Sequence, residues 1–265
     1  MNSTYKELCG FVCEIARSAG KFMAEERKGF DDSKIENKGL HDLVSYVDKE
    51  SEKRIIAGLQ QLLPESGFIA EEGTNDKRGE RFNWVIDPLD GTTYYIQGVP
   101  VYAVSIGLLD VDKLVLGVVY EVGRDECFYA WKDGGAYLNG TPIRVSVRAN
   151  IHDALLATGF PYNDFSKMNS YMEFLEWTMK NARGVRRLGS AATDLAYVAC
   201  GRFDAFWEYD LKPWDVAAGA VIVTEAGGTV FDYQGGGSYL FGKEIVASNG
   251  LLDELIHSKI REYNK

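Results

Sequence analysis

The chain has 265 residues, 46% of them hydrophobic and 26% charged, enough for one large α/β domain or two packed subdomains with ample core. Its net charge of −10 opposes extended contact with a phosphate backbone, so no direct nucleic-acid binding is expected; a small phosphorylated molecule can still be held where metal ions invert the local field. No apolar run approaches a membrane span, the first residues lack a signal-peptide core, and the four cysteines form no Cys-x-x-Cys pair. Buried free thiols, no membrane and a cytoplasmic location are therefore expected.

Tyr5, Leu8, Val12, Ile15, Ala16, Ala19, Phe22 and Met23 recur at helical spacing and predict a long helix over 4–28, closed by Gly29. A second helix is expected over about 45–62, stopped by Pro64. Short strands are predicted at 67–71 and 82–87, then at 101–110, 114–122 and 125–131, with Gly123-Arg124-Asp125 as a hairpin turn. From about residue 150, strands near 154–158, 184–188, 203–208, 228–232 and 244–248 alternate with helices near 164–181, 190–200, 214–226 and 250–263. The first half reads as helices with a mainly antiparallel sheet and the second as α/β. The expected division is an N-terminal α+β subdomain, 1–149, and a C-terminal α/β subdomain, 150–265, in one rigid body because no linker separates them.

Carboxylates are the candidate machinery. His41, His152 and His257 lie in no catalytic or metal motif, and the chain has no Gly-x-Ser-x-Gly elbow, Walker phosphate loop or Gly-x-Gly-x-x-Gly fingerprint. Residues 84–93, Trp-Val-Ile-Asp-Pro-Leu-Asp-Gly-Thr-Thr, bring an apolar strand to Asp87, where Pro88 should end it. Asp90, Gly91 and Thr92 then add a second carboxylate, a tight turn and a hydroxyl, a corner suited to divalent cations and phosphate or simply a good turn. The strand at 67–71 ends in Glu71-Glu72, and if it neighbours 82–87, Glu71 and Asp87 emerge at one sheet edge. Lys212-Pro213-Trp214-Asp215 opens a helix, with Asp215 at an N-cap or first-turn position.

The combination of Glu71, the Asp-Pro-Leu-Asp-Gly-Thr corner and Trp214-Asp215 resembles the inositol monophosphatase family of magnesium-dependent, lithium-sensitive phosphomonoesterases. Asp42-Leu43-Val44 with Asp48, Leu188-Gly189-Ser190-Ala191-Ala192, and the stretch from Gly201-Arg202-Phe203-Asp204 through Glu208 extend the resemblance over nearly the whole chain. It implies an α/β fold (an α+β layered sandwich) of alternating helix and sheet layers, antiparallel sheet in the first half and mixed sheet in the second. It also implies a homodimer and two or three Mg²⁺ per site, with Glu71, Asp87, the Leu89 carbonyl, Asp90 and Asp215 as ligands and Li⁺ as an inhibitor. Glu71 and Thr92, the latter positioned by Asp48, would activate water. Asp90, Gly91, Thr92, Gly189, Ser190, Ala191, Glu208 and Asp215 would contact a small phosphorylated polyol.

Inositol 1-phosphate is the expected substrate. Fructose 1,6-bisphosphate, a 3′,5′-bisphosphate nucleotide and histidinol phosphate are the alternatives within the chemistry, and a regulatory or interaction protein on the same fold is the rival outside it. Three departures from the family pattern leave the metal set intact: Ala70 in place of glycine, Tyr94-Tyr95 in place of Asn-Phe, and Gly159-Phe160-Pro161-Tyr162 without a substrate-side serine. They bear on the choice of alcohol.

Overall fold

The apolar stripe of α1 (Asn2–Lys28), carrying Leu8, Val12, Ala16, Ala19 and Met23, packs with Ile55, Ile56 and Leu59 of α2 (Tyr46–Leu62) onto one face of a seven-stranded sheet. The structure is a computed structural model and describes residues 2–30, 35–37, 43–75 and 77–263; His41 and Asp42 lie outside these. A small antiparallel pair, β1 (Ile35–Asn37) and β2 (Leu43–Ser45), precedes α2.

The large sheet has the order β3 (Gly67–Ala70), β4 (Phe82–Asp90), β5 (Ala103–Asp110), β6 (Lys113–Glu121), β7 (Glu126–Trp131), β8 (Ala136–Leu138), β9 (Thr141–Ile143). β3 and β4 are parallel and the remaining pairs antiparallel, with Glu121 facing Glu126 across the expected hairpin turn. The short helix α3 (Thr92–Gln97) follows β4.

The second sheet is mixed: β11 (Gly184–Arg186), β10 (Leu155–Thr158) and β12 (Ala205–Tyr209) run parallel, while β14 (Glu244–Ser248) and β13 (Thr229–Phe231) add antiparallel. α4 (Met168–Asn181) and α7 (Asp253–Tyr263) cover its outer face. Between the sheets lie α5 (Ala191–Ala199), buried along its whole length, and α6 (Pro213–Glu225), buried from Val216 to Val223. Helices apolar all round belong inside, and here both sides are sheet. α6 approaches the large sheet closely because Gly107 and Gly117 face it; a Cβ on Gly117 would stand 2.3 Å from the Ala218 carbonyl oxygen. The layers therefore alternate helix, sheet, helix, sheet, helix, as the family resemblance implies.

Two local expectations are corrected. Pro88 does not end its strand: β4 continues to Asp90 through a register shift in which Asp87 faces Ser105 and Asp90 faces Ala103. Three steps on one strand oppose two on the other, and proline is tolerated at such a bulge because the ladder needs no N–H there. The helix expected from 164 begins at Met168. Asp210 Oδ2 accepts the N–H groups of Asn163 and Asp164 at 2.8 and 3.0 Å, and Asp164 accepts that of Ser166 at 2.9 Å, which holds the preceding residues in a bend. Cys9, Cys13 and Cys127 are buried free thiols and Cys200 is a partly buried one.

Candidate active site

Strand periodicity aims the acids inward. On β4, Trp84 and Ile86 join the core under α1 and α2, whereas Val85 joins the core between the sheets, so Asp87 shares Val85's face. In a regular strand Asp90, three residues on, would point the other way. The bulge inserts the extra residue that returns it to the same side, and both line one cavity of about 520 Å³. Leu89 buries its side chain in the outer core and leaves its carbonyl toward the corner, where it accepts from Thr92 Oγ1 at 3.0 Å.

The parallel register of Ala70 with Ile86 places Glu71 beside Asp87, and the two share a hydrogen bond. Glu52 of α2, which the sequence reading missed, shapes the turn after Glu71: it accepts the N–H groups of Glu72 and Thr74 at 2.7 and 2.8 Å. Its signal was weak, one of three acids in the first turns of a helix predicted only from apolar spacing. Asp48, nearly fully buried, has Oδ1 3.1 Å from Thr92 Oγ1, so that hydroxyl has two acceptors for one proton.

Asp90 spans the halves of the molecule. Its Oδ2 accepts from Ser190 Oγ and from the Ala192 N–H, both at 2.7 Å, at the start of α5. Ser190 also caps that helix by accepting the Thr193 N–H, so its polar atoms hold Asp90 and the helix in place. Asp215 stands in the first turn of α6 and accepts the Lys212 N–H at 2.7 Å. Gly91 has a φ of 95°, a left-handed conformation that lets the chain leave β4 directly into α3.

Glu71, Asp87, Asp90 and Asp215 all border the cavity, and all are held above the ordinary carboxylate range. Burial is the main cause for each. Repulsion from Asp215 adds to Glu71, repulsion from Glu71 to Asp87, and repulsion from Asp90 to Asp215, which reaches about 7. Asp90 reaches only about 6, because hydrogen bonds from Ser190, Ala192 and Ala191 favour its anion. Among the described residues no three acidic, histidine or cysteine side chains close into a finished metal cage, so these donors border the cavity without converging on one point. Buried hard oxygen donors that raise one another's pKa have the chemistry that Mg²⁺ takes, since it keeps several waters of its own.

Across the cavity lie Gly189, Ser190, Ala191 and Glu208. Trp207 packs outward under α4 and Phe206 inward, so Glu208 on β12 also faces inward and is buried. Its carboxylate occupies the space beside Gly159, where a Cβ would sit 2.0 Å from Oε2. Two further residues of this wall escaped the sequence reading. Arg187 stacks over Tyr94 and Phe160, 5.6 and 5.8 Å from the ring centroids, and donates to Tyr162 Oη at 2.7 Å. Asp194 of α5 is buried at the cavity edge. Arg187 was visible as a basic residue two positions before Gly189, and Asp194 one helical turn after Ser190. Asp204, part of the resembling stretch, is a structural acid that accepts the Leu155 N–H at 2.7 Å and pairs with Arg148 at 2.9 Å.

Comparison with known proteins bears on the family and the fold. A model of the inositol monophosphatase family matches residues 4–265. The Nus factor SuhB of Pseudomonas aeruginosa is 42% identical over 247 residues, 91% of each chain. The inositol-1-monophosphatase of Rhizobium meliloti is 40% identical over 243 residues, again 91% of each. The crystal structure of the extragenic suppressor protein suhB from Bartonella henselae superposes with a TM-score of 0.92 at 37% identity, over 97% of this chain and 99% of that one. With the fold, the layer order and the sequence in agreement over nearly its whole length, the chain belongs to the inositol monophosphatase family.

Proposed function

We propose that the chain is a magnesium-dependent phosphomonoesterase whose preferred substrate is inositol 1-phosphate. The observation that carries the reading is the meeting of Glu71, Asp87, Asp90 and Asp215 at one cavity whose far wall is also acidic, at Glu208. Glu71, Asp87, the Leu89 carbonyl, Asp90 and Asp215 would hold two or three Mg²⁺. When bound, the metal supplies Lewis acidity toward the phosphoryl oxygens and a water that ionises near neutrality. Thr92, held by Asp48, orients the attacking water, and Glu71 takes up its proton. The N–H groups of Gly91 and Thr92, at the start of α3, face the phosphate oxygens. Gly189, Ser190 and Ala191 line the alcohol side, and Glu208 accepts hydrogen bonds from substrate hydroxyls. A homodimer in the cytoplasm belongs to the same proposal; no described helix is long and apolar enough to cross a membrane.

Phosphate release from inositol 1-phosphate, fructose 1,6-bisphosphate, adenosine 3′,5′-bisphosphate and histidinol phosphate, each with and without Mg²⁺ and Li⁺, tests the reading. Inositol 1-phosphate is expected to give the highest kcat/KM, with a requirement for Mg²⁺ and inhibition by Li⁺. No turnover of any of the four with Mg²⁺ would overturn the enzyme. Gly159→Ala pushes the Glu208 carboxylate out of place, and kcat/KM for inositol 1-phosphate should fall roughly tenfold or more, because ångström-scale misplacement of a binding group is costly. An unchanged kcat/KM would mean that Glu208 does not meet the substrate.

A second reading rests on the relatives named Nus factor: the fold as a partner surface in transcription. It does not compete for the same residues, since such a surface has no use for Glu71, Asp87, Asp90, Thr92 and Asp215 at one cavity.

A further inference from the structure

We propose that Asp194 is a substrate-binding residue, which accepts a hydrogen bond from a hydroxyl of the leaving alcohol and with Glu208 forms a paired acidic wall selecting uncharged, polyhydroxylated alcohols. The inference rests on the phosphatase reading above and deepens it.

Asp194 projects from the first turn of α5 and is 1% exposed, yet it borders the cavity. Its Oδ1 is buried with no hydrogen-bond partner among the described residues. A buried acceptor without a donor costs on the order of 1–3 kcal/mol, more when it is charged, so such groups in native structures call for a missing partner. Asp90, the other acid of this region, has its Oδ2 filled by Ser190 and Ala192. Glu208 reaches the same wall from the inner face of β12, where burial first and then the Asp194 charge hold its proton more tightly. Two carboxyl groups on one wall can accept from hydroxyls at separate positions of the ring, whereas a lone glutamate serves only those within the span of its own two oxygens.

Arg187 completes the set. Its Nε is buried and also lacks a partner among the described residues, which leaves a donor for a hydroxyl oxygen beside two acceptors for hydroxyl protons. Two acids beside one guanidinium make the wall rich in acceptor oxygens, which disfavours a second phosphate, itself an acceptor, on the alcohol. A mere core acid would have its oxygens matched by protein donors, as those of Asp204 are.

Inositol 1-phosphate and cyclohexyl phosphate, the same ring without hydroxyls, provide the probe. In Asp194→Ala, and in Asp194→Leu, which keeps the volume, the ratio of kcat/KM for inositol 1-phosphate to that for cyclohexyl phosphate should fall at least about tenfold, chiefly through KM. Asp194→Asn, which restores an acceptor at the same place, should recover most of that ratio. A ratio within twofold of the wild type in both the alanine and the leucine variants overturns the inference, as does an equal loss on both substrates, the signature of a structural role. Failure of the wild type to hydrolyse either phosphate with Mg²⁺ counts against the phosphatase reading itself, which separates the two outcomes.

Discussion

Asp87→Asn is expected to lower Mg²⁺-dependent phosphate release by roughly a thousandfold or more while leaving the fold intact or firmer. Asp87 borders the cavity beside Glu71 and Asp90, and under the proposed function it is the acid that two cations would share. Removing a charge that contributes about 4 kcal/mol of electrostatic stabilisation costs about three orders of magnitude in rate. The asparagine keeps the acceptor that the Leu89 N–H uses at 2.9 Å and offers an amide donor to Glu71. It also removes one buried acid from a repelling group. Without metal, Tm should therefore stay level or rise by about 2–4 °C, the shift that ~1 kcal/mol produces in a chain of this size. Turnover within tenfold of the wild type would refute the assignment of Asp87 as a shared ligand.

Stripping divalent metal should make stability fall as pH rises, and Mg²⁺ should reverse the fall. Glu71, Asp87, Asp90 and Asp215 titrate higher in the folded chain than in the unfolded one, with Asp90 near 6 and Asp215 near 7. Between about pH 4 and about pH 7 the folded state therefore binds more protons than the unfolded state, and folding stability must drop with rising pH. The contribution is fully present below the unfolded values near 4 and is lost through the folded ones. A cation that binds only the folded chain adds about 2.7 kcal/mol at a hundredfold excess over its Kd, and it competes with those protons. Thermal melts of chelator-treated protein should show a larger Mg²⁺-induced rise in Tm near pH 8 than near pH 5. In Asp87→Asn both the pH slope and the Mg²⁺ effect should shrink. Equal Mg²⁺ effects at the two pH values would dissociate the four acids from cation binding.

The elements most legible in the sequence are those with a single strong period. α1 was predicted over 4–28 and spans Asn2–Lys28, because five aliphatic positions repeat on one face. The adjacency of Glu71 and Asp87 was readable as two short apolar strands ending in acids, and the parallel register of β3 with β4 brings them together. Asp48, Thr92, Asp90 and Asp215 likewise come to one region. What was misread at Pro88 has a definite cause. Proline removes a ladder donor, and a sequence does not reveal whether the neighbouring strand needs that donor; in a bulge it does not.

Glu52, Arg187 and Asp194 were passed over for a different reason. Each looks like an ordinary surface charge on its own element; Glu52 and Arg187 acquire meaning only from distant partners, the Glu72 and Thr74 amides and the ring of Tyr94, and Asp194 only from the closed space around it. Period and spacing report on one element at a time.

By itself, the sequence determined the family, and through that resemblance it implied the layers and the acids of the site, because the motifs that carry the resemblance are local. Only the tertiary structure decided that Asp90 shares Asp87's side, that Glu208 faces inward beside Gly159, and that Asp194 is left without a protein donor. Those facts depend on a bulge's register against β5, on which face of β12 meets α5, and on the tally of hydrogen-bond partners in a closed space. None of these is a property of any short stretch of chain. The carboxylate set is thus written in local motifs, while the alcohol pocket is written in the packing of one sheet against two buried helices.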